Sequence, residues 1–199
     1  MDFQFAMAIM NGHTDIDIDT SVKLRDPIIK YVLQLFDKKP VKIFQVGAIE
    51  SLQTMFRVGS GWSDIIFGAY IKEFGGSLTI ADIDLDHLAN SHLMGGAMGY
   101  KVTLQLGDAI ESISNDYDIY YLDGAEDPDQ ALEQFKKIEQ TKSVVLVDDI
   151  QSKAVSLTEY LNFKNIEFKI HDVGNGGMMT IDMRTKNEDD LNNKGDING

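Results

Sequence analysis

Val41-Lys-Ile-Phe-Gln-Val46, then Gly47-Ala48, Gly59-Ser-Gly-Trp-Ser63 and Gly76-Ser-Leu-Thr-Ile-Ala-Asp-Ile-Asp84, make up the stretch on which the reading of this chain turns. The first run is short, apolar and stopped by glycine, the mark of a buried strand. Between the glycine clusters, Ile65 to Phe74 carries a helical pattern closed by Gly75-Gly76. Ser77 to Ala81 reads as a second strand, with Asp82 at its end. Strand, glycine turn, helix, strand and acid, in that order, form a nucleotide-binding βαβ layout.

Each part has a physical reason. A glycine turn lets a ligand approach the backbone without meeting a Cβ. A helix N-terminus offers free N–H groups and the positive end of its dipole. A carboxylate at the second strand tip can accept both hydrogen bonds of a ribose diol. The dinucleotide fingerprint G-x-G-x-x-G needs three glycines straight after the strand. Gly47-Ala-Ile-Glu-Ser-Leu52 has only the first, and Gly59 and Gly61 come much later. The pattern therefore points to an adenosine-containing ligand that is not gripped by a pyrophosphate loop.

Together, Phe44-Gln-Val-Gly-Ala48, Gly61-Trp-Ser63 and Gly76 to Asp84 resemble the core of a class I S-adenosylmethionine-dependent methyltransferase. Within that superfamily they are most similar to small-molecule O-methyltransferases and their sugar-modifying relatives. The resemblance implies an α/β Rossmann-like three-layer sandwich, with a mostly parallel seven-stranded sheet whose last strand is antiparallel. It covers about residues 40–184. Gln45 stands where the family usually has an acid, and Asp64 follows Ser63 where the family has Thr. An insertion, roughly Glu50 to Val58, separates the two glycine sites.

The resemblance also implies site residues. Gly47, Ala48, Gly61, Trp62 and Ser63 would surround the methionine end of S-adenosylmethionine. Asp82, with Ile83 beside it, would meet the ribose; Asp108 and Ala109 would meet the adenine; Asp123 would form the crevice floor. Asp108 reads equally well as the N-cap of a helix from Ala109 to Ser114. Glu126 stands where family members often carry His, which makes it a candidate general base beside Asp123 and equally a helix-start acid. Asp123, Asp148 and Asp149 match the Mg²⁺ ligands of catechol-type relatives, and hard oxygen ligands suit that ion. Without a cation, three such carboxylates would repel one another. Asp-Asp at this strand end also occurs in relatives without a metal.

The remaining chain fits the same architecture. Asp2 to Ile9 alternates polar and apolar residues and reads as an arm packed on the body, a flap over the substrate or a homodimer contact. His13 lies among acids in a solvated loop. Ser21 to Asp37 reads as a helix with Pro27 early in it. His87 to Gly95 reads as a helix that Gly95-Gly96 either breaks or packs closely. On its surface lies His92. Tyr100 to Leu106, Tyr117 to Leu122 and Ser143 to Asp149 read as strands. Helices are expected over Gln130 to Gln140 and Ser152 to Phe163. Ile166 to Ile170 and Met178 to Met183 close the chain as a hairpin, around a Val173 to Gly177 turn. Residues 1–186 are read as one domain, of which 1–20 form the arm, and 187–199 as a mobile tail.

Composition narrows the function classes. A chain of 199 residues suits one domain. With no Cys, disulfides, thiolate metal sites and Cys nucleophiles are excluded. A net charge of −14 disfavours nucleic acid and anionic membrane surfaces as partners. No apolar run is long enough to span a bilayer, and the N-terminus lacks a basic leader, so a cytoplasmic protein is expected. The reading is an S-adenosylmethionine-dependent methyltransferase acting on a hydroxyl of a small molecule, with saccharides ahead of phenolics. The alternatives are a non-catalytic relative that acts by binding and an NAD-binding oxidoreductase.

Overall fold

Seven strands form one sheet in the order β3-β2-β1-β4-β5-β7-β6. The computed structural model describes residues 20–52, 62–124, 127, 129–173 and 176–184. The strands are β1 (Val41–Val46), β2 (Gly76–Asp82), β3 (Val102–Leu106), β4 (Ile119–Leu122), β5 (Val144–Asp148), β6 (Lys169–His171) and β7 (Met178–Asp182). The pairs β1–β2, β2–β3, β1–β4 and β4–β5 are parallel, whereas β7 runs antiparallel to both β5 and β6. The helices are α1 (Thr20–Gln34), α2 (Trp62–Phe74), α3 (Leu85–Met98), α4 (Ala109–Ser112), α5 (Gln130–Ile138), α6 (Ile150–Lys153) and α7 (Val155–Phe163).

Strand residues alternate between two cores, as the period of two requires. Ile43, Tyr121, Val144 and Leu146 face one core with α1, α2 and α3, through Ile29, Phe67 and Leu88. Their neighbours Phe44, Leu122, Val145 and Val147 face the other, with α5 and α7, through Phe135, Ile138, Leu157 and Leu161. Both faces are covered, so the central strands read as continuous apolar runs. The result is the expected α/β three-layer sandwich.

Several elements differ from the sequence reading. Ser152 to Phe163 is not one helix: the chain turns at Ala154, whose side chain is fully buried, and separates α6 from α7. Pro27 lies in the middle of α1 and not in its first turn. It sits on the exposed side, where water can satisfy the carbonyl one turn earlier. Gly95 does not break α3. A Cβ there would lie 3.1 Å from the Tyr100 carbonyl oxygen and 3.3 Å from its ring, so the glycine serves close packing. The helix ends at Gly99, in the left-handed conformation that commonly closes helices. β6 is shorter than expected, beginning at Lys169. The N-terminal arm with His13, most of the Glu50–Val58 insertion, Gly61, Glu126 and the tail lie outside the described residues. No helix among the described residues is long and apolar enough to cross a membrane.

Candidate active site

From β1 the chain winds outward through β2 to β3, then returns to β4 on the other side of β1. At such a reversal a crevice opens at the carboxyl ends of the strands. Here it is a cavity of about 200 Å³ lined by Gln45, Gly47, Ala48, Glu50, Ser63, Asp82, His87 and Asp123. Gly47 makes the crevice possible. Its φ is +90°, and a Cβ would stand 2.4 Å from the Asp123 carbonyl oxygen. Only glycine allows the β1 and β4 tips to come this close.

Asp82 leaves the β2 tip with its carboxylate turned back on the β1 loop. It accepts from Ala48 N at 2.8 Å through one oxygen and from Asp84 N at 2.8 Å through the other. Two of its roughly four acceptor positions thus remain for a ligand. The next acid, Asp84, caps α3 by accepting from Asp86 N. That cap starts the helix so that His87 Nδ1 stands 3.5 Å from Asp82. From the same helix, Asn90 donates to the carbonyls of Ile49 and Glu50, both at 3.1 Å, and Ser91 Oγ accepts from Ile49 N at 3.1 Å. α3 therefore braces the loop that forms the cavity wall.

The two departures from the family pattern meet in space. Gln45 Nε2 donates to Asp64 Oδ1 and also to the Gly47 carbonyl at 2.7 Å. Ser91 Oγ donates to the other oxygen of Asp64 at 2.5 Å. The acid missing from β1 is thus found at the start of α2, with the amide in its place on β1. A donor–acceptor pair therefore links β1 to α2. Asp64 is buried, and burial pushes its carboxyl up to about 7, although the hydrogen bonds from Ser91 and Gln45 pull the other way. The buried Gln45 Oε1 has no hydrogen-bond partner among the described residues.

Of the sequence-predicted cofactor residues, Gly47, Ala48, Ser63, Asp82 and Asp123 line the cavity. Trp62 does not: it is 4% exposed and packs in the core beneath α1 and α2. Asp108 is the N-cap of α4, accepting from Ile110 N at 2.8 Å, and Ala109 is buried behind it. The β3 end is held to the β2 end by Gly107 N donating to the Asp82 carbonyl at 3.0 Å. Ile83, beside Asp82, is 76% exposed and so open to a ligand ring. His92 lies on the far side of α3, in an apolar hollow along β3. Gln45, Glu50 and His87 were not among the predicted site residues.

The expected metal triad does not fit a resident divalent ion. Arg25, from α1, places Nε 2.7 and 2.9 Å from the two oxygens of Asp148 and Nη2 2.7 Å from Asp149 Oδ1. Asp148 also accepts from Tyr121 OH and Asp149 N, both at 2.8 Å. Its acceptor capacity is filled by these four bonds. Lys153 Nζ lies 2.9 Å from Asp123 Oδ1 and 3.3 Å from Asp149 Oδ2. Two side-chain cations thus stand where the ion was expected. Among the described residues no group of His, Cys, Asp or Glu is arranged to hold a metal.

Electrostatics at the floor follow from this pairing. Burial and neighbouring Asp148 push the Asp123 carboxyl up to about 6, against the opposing pull of Lys153. The side chain keeps 32% of its surface and lines the crevice. Burial opposes the Lys153 charge, but Asp123 and Asp149 outweigh it and hold the ammonium protonated. In sequence, neither Arg25 nor Lys153 carries a motif. The fold brings Arg25 to Asp148 and Asp149 across more than a hundred and twenty residues of chain, and Lys153 to Asp123 across 30.

No sequence-family profile and no curated protein matches the chain. Solved structures do. A protein from Nostoc punctiforme PCC 73102, named as a candidate O-methyltransferase, superposes with a TM-score of 0.55 at 14% identity over 90% of this chain, which spans only 59% of that one. The S-adenosylhomocysteine-bound methyltransferase of Podospora anserina gives 0.52 at 14% identity, over 78% of this chain and 77% of that one. The ribosomal protein L11 methylase of Lactobacillus delbrueckii subsp. bulgaricus gives 0.54 at 15% identity, over 80% and 78%. Sheet order, the single antiparallel strand and these likenesses agree: the chain has the class I S-adenosylmethionine-dependent methyltransferase fold.

Proposed function

We propose that the protein is an S-adenosylmethionine-dependent methyltransferase acting on a hydroxyl oxygen of a small molecule, with saccharides as the first acceptor class to try. The observation that carries this reading is the crevice at the β1–β4 reversal. Its wall is a glycine too close to Asp123 for any side chain, and its rim holds Asp82 with acceptor capacity to spare. The donor set suits the ligand. Asp82 can accept from ribose hydroxyls, Ile83 offers an exposed apolar face to adenine, and the unpartnered Gln45 Oε1 can accept from an ammonium group.

When bound, S-adenosylmethionine supplies an electrophilic methyl group whose C–S bond breaks, with its electron pair kept by sulfur, as a C–O bond forms. The protein's own contribution is positioning, which can account for several kcal/mol of a barrier. α3 fixes the Ala48–Glu50 wall, and Gln45 ties the Gly47 turn to α2. Asp123, whose carboxyl burial and Asp148 push up to about 6, is the base we assign to the acceptor's proton near neutral pH. Glu126 remains a candidate for the same role. Transfer of a labelled methyl from S-adenosylmethionine across a panel of saccharides and phenols tests the proposal. Turnover on any hydroxyl that is lost in Asp82→Asn supports it. Tight cofactor binding without transfer to any acceptor would favour a non-catalytic role, and binding of NAD in its place would end it.

A further inference from the structure

We propose that this crevice carries its own cation: Lys153, held between Asp123 and Asp149, presents its third N–H to the acceptor oxygen and orients a single hydroxyl without a divalent ion. The inference rests on the methyltransferase reading and goes beyond it. A Lys ammonium has three donors. Two are used, on Asp123 at 2.9 Å and on Asp149 at 3.3 Å, and Lys153 makes no third hydrogen bond among the described residues. Its side chain is 11% exposed, so the charge sits in protein and not in bulk water. One of its partners, Asp123, lines the cavity.

The surrounding chain is built to keep that ammonium in place. Asp149 adopts a left-handed backbone, φ 50° and ψ 44°, at the β5–α6 junction. This is a conformation that Asp tolerates better than most residues. It lets one carboxylate serve Arg25 through Oδ1 and Lys153 through Oδ2. Arg25 and Tyr121 saturate Asp148, so Asp148 does not compete with Asp123 and Asp149 for Lys153. The two cations therefore divide the carboxylates between them.

The consequence is a preference of substrate class. A divalent ion binds both oxygens of a vicinal diol; one N–H binds one oxygen. The site favours an isolated hydroxyl over a chelating catechol, and its chemistry is indifferent to chelators.

The test uses the full chain, Lys153→Met, Lys153→Arg and Arg25→Met/Lys153→Met, melted in EDTA and in millimolar Mn²⁺ or Mg²⁺. The native protein and Lys153→Arg should melt at the same temperature in both. Lys153→Met and the double variant, left with unpaired carboxylates, should be destabilised in EDTA and regain about 5 °C or more with the metal. Such rescue is readable even where the variant is only marginally folded. A native protein stabilised by Mn²⁺, with the effect lost in Asp148→Asn, would overturn the inference. So would variants that no divalent ion rescues. S-adenosylhomocysteine binding, followed on the same samples, should stay within about threefold in Lys153→Met. Its absence from the native protein would remove the methyltransferase reading, while the metal result would still decide where the cation comes from.

Discussion

Asp64→Asn isolates one buried charge whose effect on stability can be followed by pH. Asp64 is 1% exposed and titrates at about 7 in the folded chain, against 3.8 for an ordinary aspartate. Raised in the folded state, it favours folding fully below about pH 4, and this contribution falls away as pH rises to about 7. At about 1.4 kcal/mol per pH unit, the upper limit of the loss is roughly 4 kcal/mol. Asn cannot ionise. It can keep the bond from Gln45 through its oxygen and turn its amide to Ser91, at a fixed cost of about 1–2 kcal/mol for imperfect pairing. The variant should be weaker than native near pH 4 and gain on it steadily, overtaking it by about pH 7; above that the difference is flat. Urea denaturation of both proteins across that range, with unchanged slopes, gives the difference directly. A stability difference that does not change between pH 4 and 7 would show that Asp64 is not held protonated by burial, and the Gln45–Asp64–Ser91 arrangement would be wrong.

Other perturbations have defined outcomes. Gln45→Glu places a second carboxylate against Asp64 and should cost about 3 kcal/mol at neutral pH. Adding Asp64→Asn pairs an acid on β1 with an amide on α2 and should recover at least about 1 kcal/mol, read as a double-mutant cycle in urea. Gly47→Ala forces a Cβ to within 2.4 Å of the Asp123 carbonyl at a φ of +90°. It should destabilise by about 1–3 kcal/mol and weaken S-adenosylhomocysteine binding in calorimetry. Asp82→Asn turns an NH2 toward one of the two backbone N–H groups that Asp82 accepts from, and should weaken that binding by about tenfold or more at a stability cost of about 1–3 kcal/mol.

The fold was legible because its central strands are short apolar runs ended by glycine or acid, a signal local to each segment. β1 and β5 are legible from β-branched and aromatic residues, Gly47 from its place just after β1 and Asp82 from its place at the end of β2. The kink at Ala154 was not legible, since Val155 to Phe163 continues a helical pattern that only core packing interrupts. At the site, Gly47, Ala48, Ser63, Asp82 and Asp123 line the cavity, Asp108 caps a helix and Trp62 is buried in the core. What neutralises the strand-tip acids is something no local pattern carries. Whether three strand-tip acids hold an ion depends on which cations the fold brings to them, and Arg25 arrives from a helix at the far end of the sequence. Gln45 and Asp64 looked like two separate defects in one dimension and are one hydrogen-bonded pair in three.

The most direct test of the central claim is calorimetric titration of the native protein with S-adenosylhomocysteine, with NAD as the control. The crevice geometry predicts saturable one-to-one binding of the sulfur nucleotide and none of NAD. No binding of S-adenosylhomocysteine up to millimolar concentration would contradict it, leaving a methyltransferase fold without its ligand.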